Sequence, residues 1–104
     1  MNLEGGEVFV GRLTTVGRKT GLPRTVELRL VYRGGRFYAS SSRIEAKHWC
    51  RNLIANPAVE VSVGRRRVPC VAGRVTDEEL RRSILALRGS PASLDRVVFE
   101  MTPR

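Results

Sequence analysis

The chain of 104 residues is long enough for one hydrophobic core and too short for two, so a single domain spanning 1–104 is expected. No apolar run approaches the ~18 residues of a membrane span, and Met1 to Gly6 lacks the basic-then-apolar order of a secretory signal, which leaves the cytoplasm as the expected compartment. The formal charge of +9, carried by 17 arginines and two lysines against ten acidic residues, favours an anionic partner; nucleic acid, an acidic membrane surface and a phosphorylated cofactor satisfy it equally.

Glu7 to Val16 is rich in β-branched and large apolar residues (Val8, Phe9, Val10, Leu13, Val16) and predicts a first strand. Gly17 to Arg24 breaks it with two glycines and a proline, a tight polar loop with exposed backbone amides. From Thr25 to Arg33, Val26, Leu28, Leu30 and Tyr32 alternate with Thr25, Glu27, Arg29 and Val31, which predicts a second strand with one face on the core. Gly34-Gly35 suits a hairpin turn, and Arg36 to Ser41 returns as a third strand.

Ser42 and Glu45 have the spacing of a capping box, so a helix is expected to start there, with Ala46, Trp49, Cys50 and Leu53 as its buried stripe and Asn56-Pro57 as its stop. Val59, Val61 and Val63 make a fourth strand, and Arg67 to Val75 a fifth after the Gly64-Arg65-Arg66 turn. Thr76 and Glu79 form a second capping box before a helix whose Leu80, Ile84 and Leu87 share a face, ended by Gly89-Ser90-Pro91. Leu94 to Met101 predicts the last strand. The order βββαββαβ, with hairpin connections, fits an antiparallel barrel of about six strands with two helices, a mainly β (α+β) fold, better than a parallel sheet. Tyr32, Phe37, Trp49, Leu53, Val61, Leu80, Ile84 and Val98 are the expected core. Cys50 and Cys70 read as reduced core thiols, and with His48 they fall short of a four-ligand zinc set, so no metal site is expected.

Chemistry concentrates in the Gly17–Arg24 loop, where Arg18, Lys19 and Arg24 alternate with residues that let backbone amides approach an anion, with Thr20 at its tip. The spacing is not that of a Walker loop, and a solvated hairpin whose charges only confer solubility would have the same composition. No pair of carboxylates shares a motif, and no GxGxxG follows a strand.

The run Leu13-Thr14-Thr15-Val16-Gly17-Arg18-Lys19-Thr20-Gly21-Leu22-Pro23-Arg24-Thr25 resembles the signature of the deazaflavin (coenzyme F-420)-dependent nitroreductases, oxidoreductases built on a split β-barrel related to FMN-binding proteins. Lys47 to Val61, in which an aromatic residue precedes Asn52-Leu53 and the helix ends in Asn56-Pro57, is similar to that family's helix and following strand. The resemblance implies a split barrel with F-420 or FMN as cofactor. It also implies that Arg18, Lys19 and Arg24 meet the cofactor's phosphate or acidic tail, that Ser40 and Ser41 lie beside the ring system, and that Lys47, Trp49 and Asn52 shape the same cleft. Read from the residues alone, Trp49 is a core side chain and His48 a surface histidine. The chain departs from the family in having no tyrosine after Tyr38 and a single Trp49 where an aromatic pair is usual.

The leading expectation is a flavin- or deazaflavin-dependent, nitroreductase-like oxidoreductase that passes hydride to a small organic acceptor, with the protein supplying binding, orientation and water exclusion. A shallow cleft on so small a barrel suggests a homodimer. The alternatives are a nucleic-acid-binding barrel using Arg65-Arg66-Arg67 and the Gly17 loop, and a non-catalytic cofactor-binding protein.

Overall fold

A computed structural model describes residues 6–104. Six strands close a barrel in the order β1-β2-β3-β6-β5-β4, every neighbouring pair antiparallel. They are β1 (Glu7–Val16), β2 (Pro23–Arg33), β3 (Arg36–Ser41), β4 (Ala58–Val63), β5 (Arg66–Arg74) and β6 (Val97–Pro103); α1 (His48–Ala55) follows β3 and α2 (Glu78–Leu87) follows β5. Gly34 and Gly35 take φ values of 60° and 80° in the β2–β3 turn, a region that disfavours any side chain.

The barrel is split on one side. β1 and β2 pair along ten residues, but β2 and β3 pair only at Val31–Tyr38, Tyr32–Phe37 and Arg33–Arg36. Beyond that point β3 stays on β6 through Ser41–Val97, while β2 runs on to Pro23 with β1 alone. The two edges therefore diverge between Leu30 and Ala39, and α1 closes the widened end by placing Cys50 and Leu53 in the barrel core with Leu13, Leu30, Phe37, Val61, Phe99 and Met101.

A second apolar layer lies outside the barrel. α2 packs Ile84 and Leu85 on Val31, Tyr38, Val75 and Val98, residues of the opposite strand parity. Val31, expected on the polar face of its strand, is accordingly 0 % exposed, whereas Tyr32, Trp49 and Leu80 are only partly buried. Period-two alternation predicts one buried face, and a helix laid across the sheet buries the other locally.

Several element boundaries differ from expectation: β2 begins at Pro23 and not Thr25, so it takes in the last two residues of the expected loop, and β5 covers Arg66–Arg74 in place of Arg67–Val75. The Ser42–Glu45 capping box does not form. Arg43 takes a left-handed conformation, Ile44–Ala46 is a single 3-10 turn, Lys47 is extended, and α1 starts only at His48, so Ala46 is exposed. The second helix is capped one residue later than expected, by Asp77, whose Oδ1 accepts from the Leu80 amide at 3.1 Å. The last strand begins at Val97, and Leu94 is 97 % exposed. The reason is Arg81, a buried side chain of α2 paired with Glu78, which donates to the carbonyls of Ala92, Ser93 and Arg96 and holds that segment as a loop.

Both cysteines are free and fully buried. Burial pushes the Cys50 thiol up to about 11 against contrary effects of Ser41 and Lys47. Because the folded value lies above the ordinary 9.0, the stability gained from keeping this thiol neutral is complete below pH 9 and is lost as pH rises through about 11. Unfolding midpoints measured across that window should fall. Cys70 and Tyr38 are pushed the same way by burial, so Cys50→Ala should make the slope shallower without abolishing it. An unchanged slope would assign the alkaline loss to the other two groups.

Candidate functional site

The loop between β1 and β2 is tightly folded. The Gly17 amide donates to the Leu22 carbonyl and the Gly21 amide to the Gly17 carbonyl, both at 2.8 Å, and Gly21 has φ of 71°. A Cβ on Gly17 would stand 2.7 Å from Thr20 Oγ1 and 3.1 Å from the Leu22 carbonyl oxygen, so only glycine fits without displacing the turn. Thr20 Oγ1 accepts from the Leu22 amide at 3.2 Å and stabilises the same turn.

One helical residue fastens this loop to the barrel. Asn52, 3 % exposed, accepts at Oδ1 from the Arg18 amide at 3.2 Å and from Arg18 Nη1 at 2.8 Å, and its Nδ2 donates to Thr15 Oγ1 at 3.4 Å. Arg18 Nη2 also reaches His48 Nδ1 at 3.4 Å, the long limit of a hydrogen bond. The Arg18 side chain is thus committed to α1. Lys19 and Arg24 are exposed, and neither makes an ion pair among the described residues. Removing the acceptor leaves a partly buried amide unpaired, at about 1–3 kcal/mol. Asn52→Ala should therefore lower stability by that much in denaturant titrations, and Asn52→Asp, which keeps the acceptor beside Arg18, should recover most of it.

These residues border a cleft of about 570 Å³ that the Gly17–Leu22 loop, the start of β2 and the first turns of α1 enclose together. Its cationic rim is Arg18, Lys19 and Arg24; its apolar wall is Pro23, Val26 and Trp49. Trp49 is half-buried, packed in a T-shaped pair with Phe99 (ring centroids 6.0 Å apart, planes at 72°), and it also lines the cleft. It is at once a core contact and a cleft wall.

Of the nine residues singled out from the sequence, Arg18, Lys19, Thr20, Arg24, Trp49 and Asn52 line this one cleft. Ser41 and Lys47 form a pair of their own, Lys47 Nζ donating to Ser41 Oγ at 2.7 Å and Ser41 Oγ donating to the Ser42 carbonyl at 2.9 Å. Ser40 has the opposite strand parity, on the outer face, where Arg88 Nη1 donates to its hydroxyl and to its carbonyl. His48, Pro23 and Val26 also line the cleft, though only the Val26 parity in its strand hinted at this from the sequence.

The model of one protein family, described as F420H(2)-dependent quinone reductase, matches residues 1–95. The chain belongs to that family. Its fold is shared by a putative pyridoxamine 5'-phosphate oxidase from Listeria innocua, at 20 % identity and TM-score 0.76 over 91 % of this chain and 83 % of the other. An F420-H2 dependent reductase is 26 % identical with TM-score 0.66, covering 88 % of this chain and 92 % of that one. A structure described as a domain-swapped dimer is 28 % identical with TM-score 0.70, covering 88 % and 78 %. The F420H(2)-dependent reductase family makes this chain a deazaflavin-dependent oxidoreductase on a split barrel, with F420 or a flavin as the cofactor class.

The site fits such a group. A lysine and an arginine without an ion-pair partner among the described residues, at a glycine-cradled turn, suit a phosphate or carboxylates, and an apolar wall ending in an indole suits a planar ring. No helix of the described residues is long and apolar enough to cross a membrane.

Proposed function

We propose that this family member transfers hydride between F420 and a small organic acceptor of the quinone or nitro-aromatic type, with the Gly17–Leu22 cleft as the cofactor site. The observation that carries this reading is the convergence, in one cleft, of an apolar wall and two cations that have no carboxylate partner among the described residues. When bound, the reduced deazaflavin supplies the hydride. The residues of the chain bind and orient. Lys19 and Arg24 would hold the phosphate-bearing part, Arg18 and Asn52 keep their loop in place, and Val26, Pro23 and Trp49 would flank the ring and exclude water. Ser41 and Lys47, beside the split, would meet the ring from β3. Nothing in this scheme calls for a protein nucleophile.

A homodimer, suggested by the swapped arrangement of one similar structure, would deepen the cleft, and two reduced thiols suit a cytoplasmic setting. Against a nucleic-acid surface, Arg65 and Arg67 share the outer face of β1, β2 and β4 with Glu27 and Glu60, and Glu60 lies 4.0 Å from Arg67. Moreover, no aromatic side chain is among the large exposed hydrophobics, so outside the cleft, where Trp49 is half-buried, bases have no stacking platform. The test is titration of the purified protein with F420, FMN and a short single strand, followed by turnover with a quinone and a nitro-aromatic acceptor. Saturable F420 binding with oxidation of the reduced form supports the reading; tight strand binding without cofactor binding ends it.

A further inference from the structure

Arginines also gather on the outer face of the barrel, away from the cleft. The strand register places them. Val31 of β2 pairs with Tyr38 of β3, and Ser40 of β3 pairs with Val98 of β6; Val31, Tyr38 and Val98 all face outward under α2. Two residues back from Val31, on the same face of β2, is Arg29, at the point where β2 leaves β3, and Arg96 lies just before β6, two residues back from Val98, the partner of Ser40. Arg88, at the C-terminal cap of α2, comes down on this spot and donates from Nη1 to the Ser40 hydroxyl and carbonyl.

Two features make the grouping unusual. Arg88 Nε is buried and has no hydrogen-bond partner. Among the described residues none of the three guanidinium groups is paired with a carboxylate either: the ion pairs there are Arg36–Glu100, Arg67–Glu60, Arg81–Glu78 and Arg82–Glu78. Glu100, the acidic residue of β6 on this face, is already engaged by Tyr38 and Arg36. Glu27 lies one step further along β2, away from Ser40. Burial first, and then the charges of Arg96 and Arg29, lowers the hold of Arg88 on its proton. The loop carrying Arg96 is also built, because Arg81 binds the Arg96 carbonyl at 2.9 Å and that of Ser93 at 3.2 Å. Gathering like charges around a partly buried guanidinium costs electrostatic energy that an oxyanion among them would relieve.

We propose that Arg29, Arg88 and Arg96 form a second oxyanion site, on the outer face of the barrel and separate from the Gly17–Leu22 loop, that takes a phosphate or carboxylate group of a small ligand. The measurement is the side-chain Nε–H signal of Arg88 in nitrogen–proton spectra of the full chain, identified by its loss in Arg88→Lys. Inorganic phosphate and acetate are titrated separately at constant ionic strength held with chloride. The expected result is a saturating shift with at least one of the two anions, which names the group. In the Arg29→Gln/Arg96→Gln variant, which leaves Arg88 in place, the apparent Kd should rise at least tenfold; in Lys19→Ala/Arg24→Ala it should stay within twofold. A shift linear in both anions, a Kd indifferent to Arg29 and Arg96, or loss of the response on removing Lys19 and Arg24 would each overturn the proposal. None of these outcomes depends on whether F420 binds the cleft.

Discussion

Replacing Lys19 and Arg24 together by alanine should weaken F420 binding by about 3 kcal/mol, roughly 150-fold, and leave the fold intact. Each charge-assisted hydrogen bond to a phosphate is worth about 1.5–3 kcal/mol, and the lower end applies because both side chains are exposed and screened by water. Neither residue holds up the loop. Its turn is closed by the Gly17, Gly21 and Leu22 amides, and its attachment to α1 runs through Arg18 and Asn52. The loss should shrink as salt is added, since exposed charges are screened within a Debye length of about 10 Å at 0.1 M. Arg65→Ala/Arg66→Ala, on the β4–β5 hairpin away from the cleft, should leave affinity within about tenfold. Fluorescence titration of the wild type and both double variants with F420 decides the matter. Equal losses in the two variants would mean that the general positive field, and not this loop, recruits the cofactor.

The largest effect on stability is expected at Phe99. Phe99 is 1 % exposed, belongs to the barrel core and meets the Trp49 ring at a steep angle with centroids 6.0 Å apart. Truncating a buried phenylalanine costs about 3–5 kcal/mol through lost transfer energy and an unfilled cavity. That is a large share of the roughly 5–15 kcal/mol available to a domain of this kind, so Phe99→Ala should be marginally folded. Phe99→Leu fills most of the space, and it should lose less than half as much. Trp49 is the only tryptophan, so its fluorescence reports both the denaturation midpoint and the local change. Because Trp49 also walls the cleft, the folded fraction of either variant should bind cofactor more weakly than wild type. A small stability loss in Phe99→Ala would show that the core collapses around the gap, and unchanged affinity would show that Trp49 is held by α1 alone.

Much of this was legible in the chain itself. Alternation at Val59, Val61 and Val63, the Gly34-Gly35 turn and the Asn56-Pro57 stop are consequences of local backbone sterics and of apolar period, and each sits where the residues predict. So does the cationic loop at Gly17, although it ends at Leu22 because Pro23 and Arg24 pair with Val16 and Thr15 as the start of β2. The resemblance of two segments to a deazaflavin-dependent family was likewise carried by residues close in sequence, and the family match over residues 1–95 agrees with it. Tertiary structure decided the rest. Ser42 and Glu45 have capping-box spacing, yet the left-handed Arg43 and extended Lys47 between β3 and α1 delay the helix to His48. Leu94 has strand-like neighbours, yet Arg81, at the far side of a helix, takes the carbonyls around it. Val31 is buried because α2 crosses its strand, and Asn52 reaches Arg18 across 34 positions of sequence. The split between β2 and β3, the cleft beside it and the arginines on its outer face depend on which strands stay paired and which part. Pairing of that kind is a sum of many contacts between distant residues, and local propensity carries almost no information about it.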